Sequence, residues 1–181
     1  YGGPKSRLRS LVQQFNSGTA WLYEDRARQY SKLTDFAVTA VHERLKADLG
    51  KIWAASLAAE VVIKTRAAGD AEDAFILLSA FLDGTDRTDG NGTRLGTIRF
   101  LWRYLGLLGV QPPVEDCRDR FQLDADAAGY LAAMNERSPG EVRKLLLEAP
   151  AVFQLKDMAF RLIEEAAGRK LNTIETGFAI L

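Results

Sequence analysis

The chain has 181 residues and a mass of 20.0 kDa, the size of one ordinary domain or of one domain with part of another. Twenty-four Lys and Arg balance twenty-four Asp and Glu, which excludes a protein whose whole surface traps phosphate but leaves a local basic face open. A single Cys and a single His exclude an internal disulfide framework and the usual four-ligand zinc site.

The apolar runs are far shorter than the ~20 residues of a membrane-spanning helix, and no signal-peptide pattern opens the chain. Composition alone therefore predicts a soluble, cytoplasmic and mainly α-helical protein. From the N-terminus, Tyr1 to Ser6 reads as a loop, and Leu8 to Phe15 and Thr19 to Tyr23 read as strands joined by an Asn16-Ser17-Gly18 turn. Tyr30 to Thr34 adds a possible third strand, which makes residues 1–34 a small β segment.

From Asp35 the period becomes helical. Val41, Leu45, Leu49, Ile52 and Trp53 recur at three- and four-residue steps in a pattern that runs to Arg66. A second helix is expected over Glu72–Leu82. The stretch Asp83 to Gly92 is all turn residues and reads as a long loop, with Thr93 as N-cap of a helix to Leu108. Gly109 and Pro112-Pro113 should stop that helix. Val114 to Tyr130 reads as irregular and acidic. Ser138-Pro139-Gly140-Glu141 is a capping box for a helix reaching Glu148, and a last helix is expected over Val152–Lys170.

Charge is unevenly distributed. Residues 1–34 hold six basic side chains against two acidic ones, a net +4, while 35–105 carry −1 and 106–181 carry −3. Lys5, Arg7, Arg9, Arg26, Arg28 and Lys32 are interleaved with Phe15, Trp21, Tyr23 and Tyr30. Cations that track phosphates beside rings that stack on bases are the chemistry of a single-strand-binding sheet. The same rings would also serve as an ordinary β core.

No catalytic constellation is present. His42 has no Ser, Cys or second His at motif spacing. Cys117 lies among carboxylates that disfavour a thiolate. Asp83, Asp86 and Asp89 are three apart, not at the spacing of a calcium loop. Gly90 to Gly96 follows no strand and fails the context of a dinucleotide loop. No metal or cofactor is expected, and the chain does not read as an enzyme. The Thr93–Leu108 helix is more informative, because Arg99 and Arg103 share a face beside Phe100, with Arg94 in what reads as the first turn. That set suits an acidic, apolar peptide end, its carboxylates on arginines and its side chains on rings. Arginines paired with neighbouring carboxylates are the plainer alternative.

Several short motifs then point, in order, to one family. Lys5-Ser6-Arg7-Leu8-Arg9 through Phe15 resembles the strand late in the N-terminal OB-fold of the bacterial recombination mediator RecO, and Ala58-Ala59-Glu60-Val61-Val62 resembles one of its helices. Arg99 to Val110, Pro113 to Cys117 and Arg169 to Thr173 are similar to later motifs of the same family. The resemblance implies a helical bundle over residues 35–181, with an irregular 111–135 insertion, behind an OB-fold remnant at 1–34. Many members carry two C-x-x-C pairs that bind zinc. Here Arg120 stands where the partner of Cys117 would be, so no zinc is expected.

The resemblance also implies a DNA repair and recombination mediator. Such proteins bind single- and double-stranded DNA, anneal strands, contact the tail of single-stranded DNA-binding protein, and act with RecR to load recombinase. On this reading Lys5, Arg7, Arg9, Arg26 and Arg28 face DNA, while Arg94, Arg99, Phe100 and Arg103 take the partner peptide. Two other readings stay open: a helical adaptor that does not touch nucleic acid, and a ligand-binding bundle with a pocket of Trp53, Phe75, Phe81 and Trp102.

Overall fold

A computed structural model describes residues 7–65 and 71–177. Lys5 lies outside the described residues, and of Arg7 only the backbone is described. The architecture is mainly helical with one small antiparallel sheet.

The first departure from expectation is at the start. Arg7–Leu11 is a short helix (α1), not a strand. Leu8, Leu11 and Phe15 recur at helical spacing, and Val12 N–H donates to Leu8 O at 2.8 Å as in a helical turn. Asn16 Nδ2 donates to Leu11 O at 2.8 Å, ending the turn. Strand β1 then spans Ser17–Asp25 and β2 spans Tyr30–Ala40, paired antiparallel from Ser17 opposite Ala40 to Asp25 opposite Tyr30. Asp25 Oδ1 accepts from the backbone N–H of Ala27 and Arg28, closing the 26–29 turn. The expected change to helix at Asp35 therefore comes later, because Phe36 and Val38 pair across the ribbon with Ala20 and Gly18.

The helical body begins with α2 (Glu43–Lys46) and α3 (Leu49–Thr65). Next, α4 (Ala71–Arg87) absorbs most of the stretch expected to be a loop, leaving only Thr88 and Asp89 before α5 (Gly90–Leu107). Tertiary partners override the turn propensity of Asp83 to Arg87: Asp83 binds His42, Asp86 accepts from Leu45 N–H, and Thr85 is buried. Asp89, not Thr93, is the N-cap and accepts from Gly92 N–H at 2.7 Å. A Cβ at Gly92 would collide with Thr88 Oγ1, so the tight joint requires glycine there. Gly109, at φ 71°, ends α5 as expected, with Val110 N–H on Leu105 O.

The stretch expected to be irregular is two helices, α6 (Val114–Phe121) and α7 (Ala125–Glu136). Each turns a narrow apolar stripe inward, Cys117 from α6 and Ala127, Tyr130, Leu131 and Met134 from α7, and leaves its acids in solvent. Asp124 caps α7 through Ala127 N–H. The capping box opens α8 (Pro139–Val142), where the Glu141 carboxylate accepts from Ser138 N–H and Oγ; the helix stops at Val142, short of Glu148. Helix α9 spans Ala149–Ala167 and α10 spans Asn172–Gly177.

The core is built around α5, which packs against α3, α4 and α9 and buries Leu95, Ile98, Phe100, Leu101, Trp102, Tyr104 and Leu105. Apolar residues on more than one face of this helix mean a central position. Trp102 is wholly buried with its indole N–H on Asn135 Oδ1 at 2.8 Å, and Trp53 is buried against Phe160 with its N–H on Thr173 O. Phe75 is exposed. The four aromatics expected to line one pocket therefore do not converge.

Candidate functional site

Arg99, Phe100 and Arg103 meet at a groove of about 720 Å³ between α4, α5, α8 and the segment that follows α8. Phe100 lines it, its ring tilted against Phe81 (centroids 4.9 Å apart) and stacked on Tyr104 (5.7 Å). Leu77, Leu145 and Leu146 supply apolar walls, and the Leu146 side chain is 96% exposed, available to a guest. Two further arginines, Arg87 and Arg143, line the same groove.

The electrostatics favour an anion. Among the described residues, none of the ion pairs includes Arg87, Arg99, Arg103 or Arg143. The two carboxylates on the rim are already engaged, Asp83 with His42 and Asp89 with Gly92 N–H. Arg99 donates Nε–H to Leu95 O at 3.2 Å, while its Nη1 is buried with no hydrogen-bond partner. Burial pushes the Arg99 pKa down; nearby Tyr130 opposes that shift, and Arg143 and Arg103 add to it. Arg99 is thus a largely buried cation with two further cations, Arg103 and Arg143, beside it.

Arg94 does not join this set. Because α5 starts at Gly90, Arg94 lies beyond the first turn and not at the helix N-terminus. It borders a small cleft with Ile98, Val152 and Lys156 on a different side of α5. Arg143 and Tyr130 were not anticipated as site residues. They are far from Arg99 in sequence, and no local pattern links them to it.

The second set of predicted residues lies on and before the hairpin. Arg9 is exposed on α1, a helix where a strand was expected, and Arg26 and Arg28 are exposed in the 26–29 turn. Register adds a feature: Trp21, Tyr23 and Asp25 alternate onto one face of β1, and Tyr23 faces Lys32 while Asp25 faces Tyr30 across the ribbon. Trp21, Tyr23, Tyr30 and Lys32 thus share one exposed face.

Polar bonds tie the hairpin segment to the helical body. His42, buried and left-handed at φ 53°, places Nδ1 2.7 Å from Phe15 O and Nε2 2.8 Å from Asp83 Oδ1. Lys46 Nζ donates to Asn16 Oδ1, while within the body Lys51 Nζ on α3 donates to Asp86 O on α4. At the other end, Glu60 accepts from Asn172 N–H (2.9 Å), Thr173 N–H (2.8 Å) and Lys64 Nζ (2.6 Å), anchoring α10. Burial disfavours the charged form of Glu60, but the bonds from Lys64, Thr173 and Asn172 outweigh it and hold the pKa at about 2.

The residues do not fit a zinc ion. Cys117 is buried and pushed up to about 11 by burial, then by Asp116, against the pull of Arg120. Among the described residues no cluster of three His, Cys, Asp or Glu side chains can hold a metal, and no helix is long and apolar enough to cross a membrane.

The structure thus presents a helical body with a groove lined by Arg87, Arg99, Arg103 and Arg143, and a hairpin with exposed aromatic and basic side chains. The family described as Recombination protein O C terminal matches residues 46–176, and the chain belongs to that family. Membership gives it a general role as a mediator in DNA repair and recombination. The match covers the helical body and leaves the hairpin outside it. No curated protein and no solved structure matches the chain.

Proposed function

We propose that this chain is a cytoplasmic recombination mediator with two binding surfaces. The basic segment 1–34, continued by β2 to Ala40, is the end of an OB-fold that holds single- and double-stranded DNA and promotes annealing. The α4–α5 groove takes the acidic, apolar C-terminal tail of single-stranded DNA-binding protein, and the chain works with RecR to load recombinase. The observation that carries this reading is the set of arginines 99, 103 and 143, unpaired beside an apolar floor. Carboxylates would satisfy the guanidiniums while rings and leucines take the apolar side chains. On the hairpin, Trp21, Tyr23 and Tyr30 would stack on bases, with Arg26, Arg28 and Lys32 tracking phosphates.

The test is fluorescence anisotropy with two probes, an acidic Phe-ended peptide and a labelled single strand. Arg99→Ala is expected to weaken the peptide by about tenfold or more and leave DNA unchanged. The double variant Arg26→Ala, Arg28→Ala is expected to flatten the salt dependence of DNA binding by a slope of about one per removed charge. Unchanged peptide affinity in Arg99→Ala would remove the groove from the account.

A further inference from the structure

His42 sits where the ribbon joins the helical body. It follows β2 after Val41, and Phe15 stands just before β1, so the contact of Nδ1 with Phe15 O at 2.7 Å closes the open end of the ribbon. Nε2, 2.8 Å from Asp83 Oδ1, pins the same ring to α4. The imidazole is 3% exposed, against 48% for the Asp83 side chain. His42 and Phe15 both hold left-handed backbone, at φ 53° and 62°, a conformation that a bulky residue keeps only where its surroundings impose it.

Both neighbours of the ring are acceptors. A backbone carbonyl offers lone pairs alone, and so does an ionised carboxylate. A neutral imidazole carries one N–H and one bare nitrogen, so in either tautomer it sets a lone pair against an oxygen at 2.7 or 2.8 Å. An imidazolium donates from both nitrogens and satisfies both contacts, with the Asp83 carboxylate as its counter-ion. The other charged groups around the joint are engaged elsewhere or turned to solvent. From α4, Asp86 accepts from Leu45 N–H; from α3, Lys51 donates to Asp86 O; before α3, Asp48 accepts from Lys51 N–H. From α2, Lys46 donates to Asn16 Oδ1, while Glu43, Arg44 and, on α1, Arg9 are exposed. We propose that His42 is a proton-dependent latch, which holds the base of the ribbon on the helical body as an imidazolium and loses one of its two contacts when neutral. Proton uptake then favours docking and docking favours proton uptake, so the latch closes at the acidic end and loosens as pH rises. The exposed rings of the ribbon and its 26–29 turn are positioned by this joint, so the placement of that surface becomes pH-dependent whichever partner uses it.

His42 is the chain's one histidine, so its ring resonances need no assignment by mutation. The experiment follows the ring nitrogens by NMR from about pH 5.5 to about pH 8.5. On the same samples it measures amide exchange in β1 and β2 relative to α5, a ratio in which the intrinsic pH dependence of exchange cancels. Wherever the ribbon is protected, both ring nitrogens are expected to carry protons, and the ratio should rise by up to about tenfold per pH unit once the ring loses one. Asp83→Asn should keep the ribbon docked and flatten the ratio, because an amide donates to a bare Nε2 and a neutral ring then satisfies both contacts. His42→Gln should flatten it too, with the ribbon looser at every pH. Thermal melting of each variant checks the fold. A protected ribbon with a singly protonated ring overturns the latch, and so does a wild-type ribbon that is unprotected throughout. A rise in the ratio that persists unchanged in His42→Gln assigns the pH dependence to another group and overturns it as well.

Discussion

The hairpin leaves Trp21, Leu22, Tyr23 and Tyr30 about half exposed or more, whereas α5 buries Phe100, Trp102 and Tyr104 almost completely. Both regions are rich in aromatics, yet only one uses them to fold. The helical body is held by burial around a central helix, while the hairpin is fixed to it through polar bonds at His42, Asn16 and Lys46. A two-stranded ribbon is marginal alone, so those anchors and the packing of α1 on β2 matter more than its propensity. The difference teaches where function can reside: rings that the core does not consume remain available to a partner.

The largest effect that would sharpen this contrast is in the core. Trp102→Ala is expected to destabilise the chain by about 3–5 kcal/mol, because it empties a closed site and orphans Asn135. Chemical denaturation measures this, whereas Trp21→Ala on the exposed ribbon should change stability little. Glu60→Gln comes next, at about 1–3 kcal/mol near neutral pH, by weakening the charged clamp on α10. The folded-state value of about 2 lies below the ordinary 4.5, so the ionised clamp contributes fully above about pH 4.5 and its contribution is lost as pH falls towards 2. A pH series of melting curves should therefore show wild type and Glu60→Gln converging on acidification. The smallest effect is local: His42→Ala should free the hairpin at a cost of about 1–2 kcal/mol, seen as faster hydrogen exchange in β1 and β2 with α5 still protected. Equal acceleration in α5 would mean that the two regions are one cooperative unit.

Much of the body was legible in the sequence because its signals are local. The Gly109 stop, the Ser138 capping box and the shared face of Arg99 and Arg103 need only neighbouring residues to be read. The 83–92 stretch reads as a loop because the partners that hold turn-forming Asp83 and Asp86 in a helix, His42 and Leu45, lie some forty positions away. Leu8 to Phe15 fits either period, because its four apolar residues, of which only Val12 is β-branched, are too few to separate strand from helix. Helix α6 is hidden by charge, since it buries only Cys117, whereas α7 is alanine-rich and gives little periodic contrast. At the groove, the shared face of Arg99 and Arg103 is legible from their spacing, whereas Arg94, predicted for the same set, borders a different cleft. Arg143 and Tyr130 arrive from α7 and beyond α8 through tertiary packing, which no local pattern encodes.

The central claim is that the exposed ribbon and the arginine groove serve different partners. The direct measurement is a crossed titration in which Trp21→Ala and Arg99→Ala are each assayed against labelled single-stranded DNA and against the acidic Phe-ended peptide. The account predicts that Trp21→Ala weakens DNA by about 1–3 kcal/mol and spares the peptide, while Arg99→Ala does the reverse. If either folded variant loses both partners equally, the two surfaces are one site and the account is contradicted.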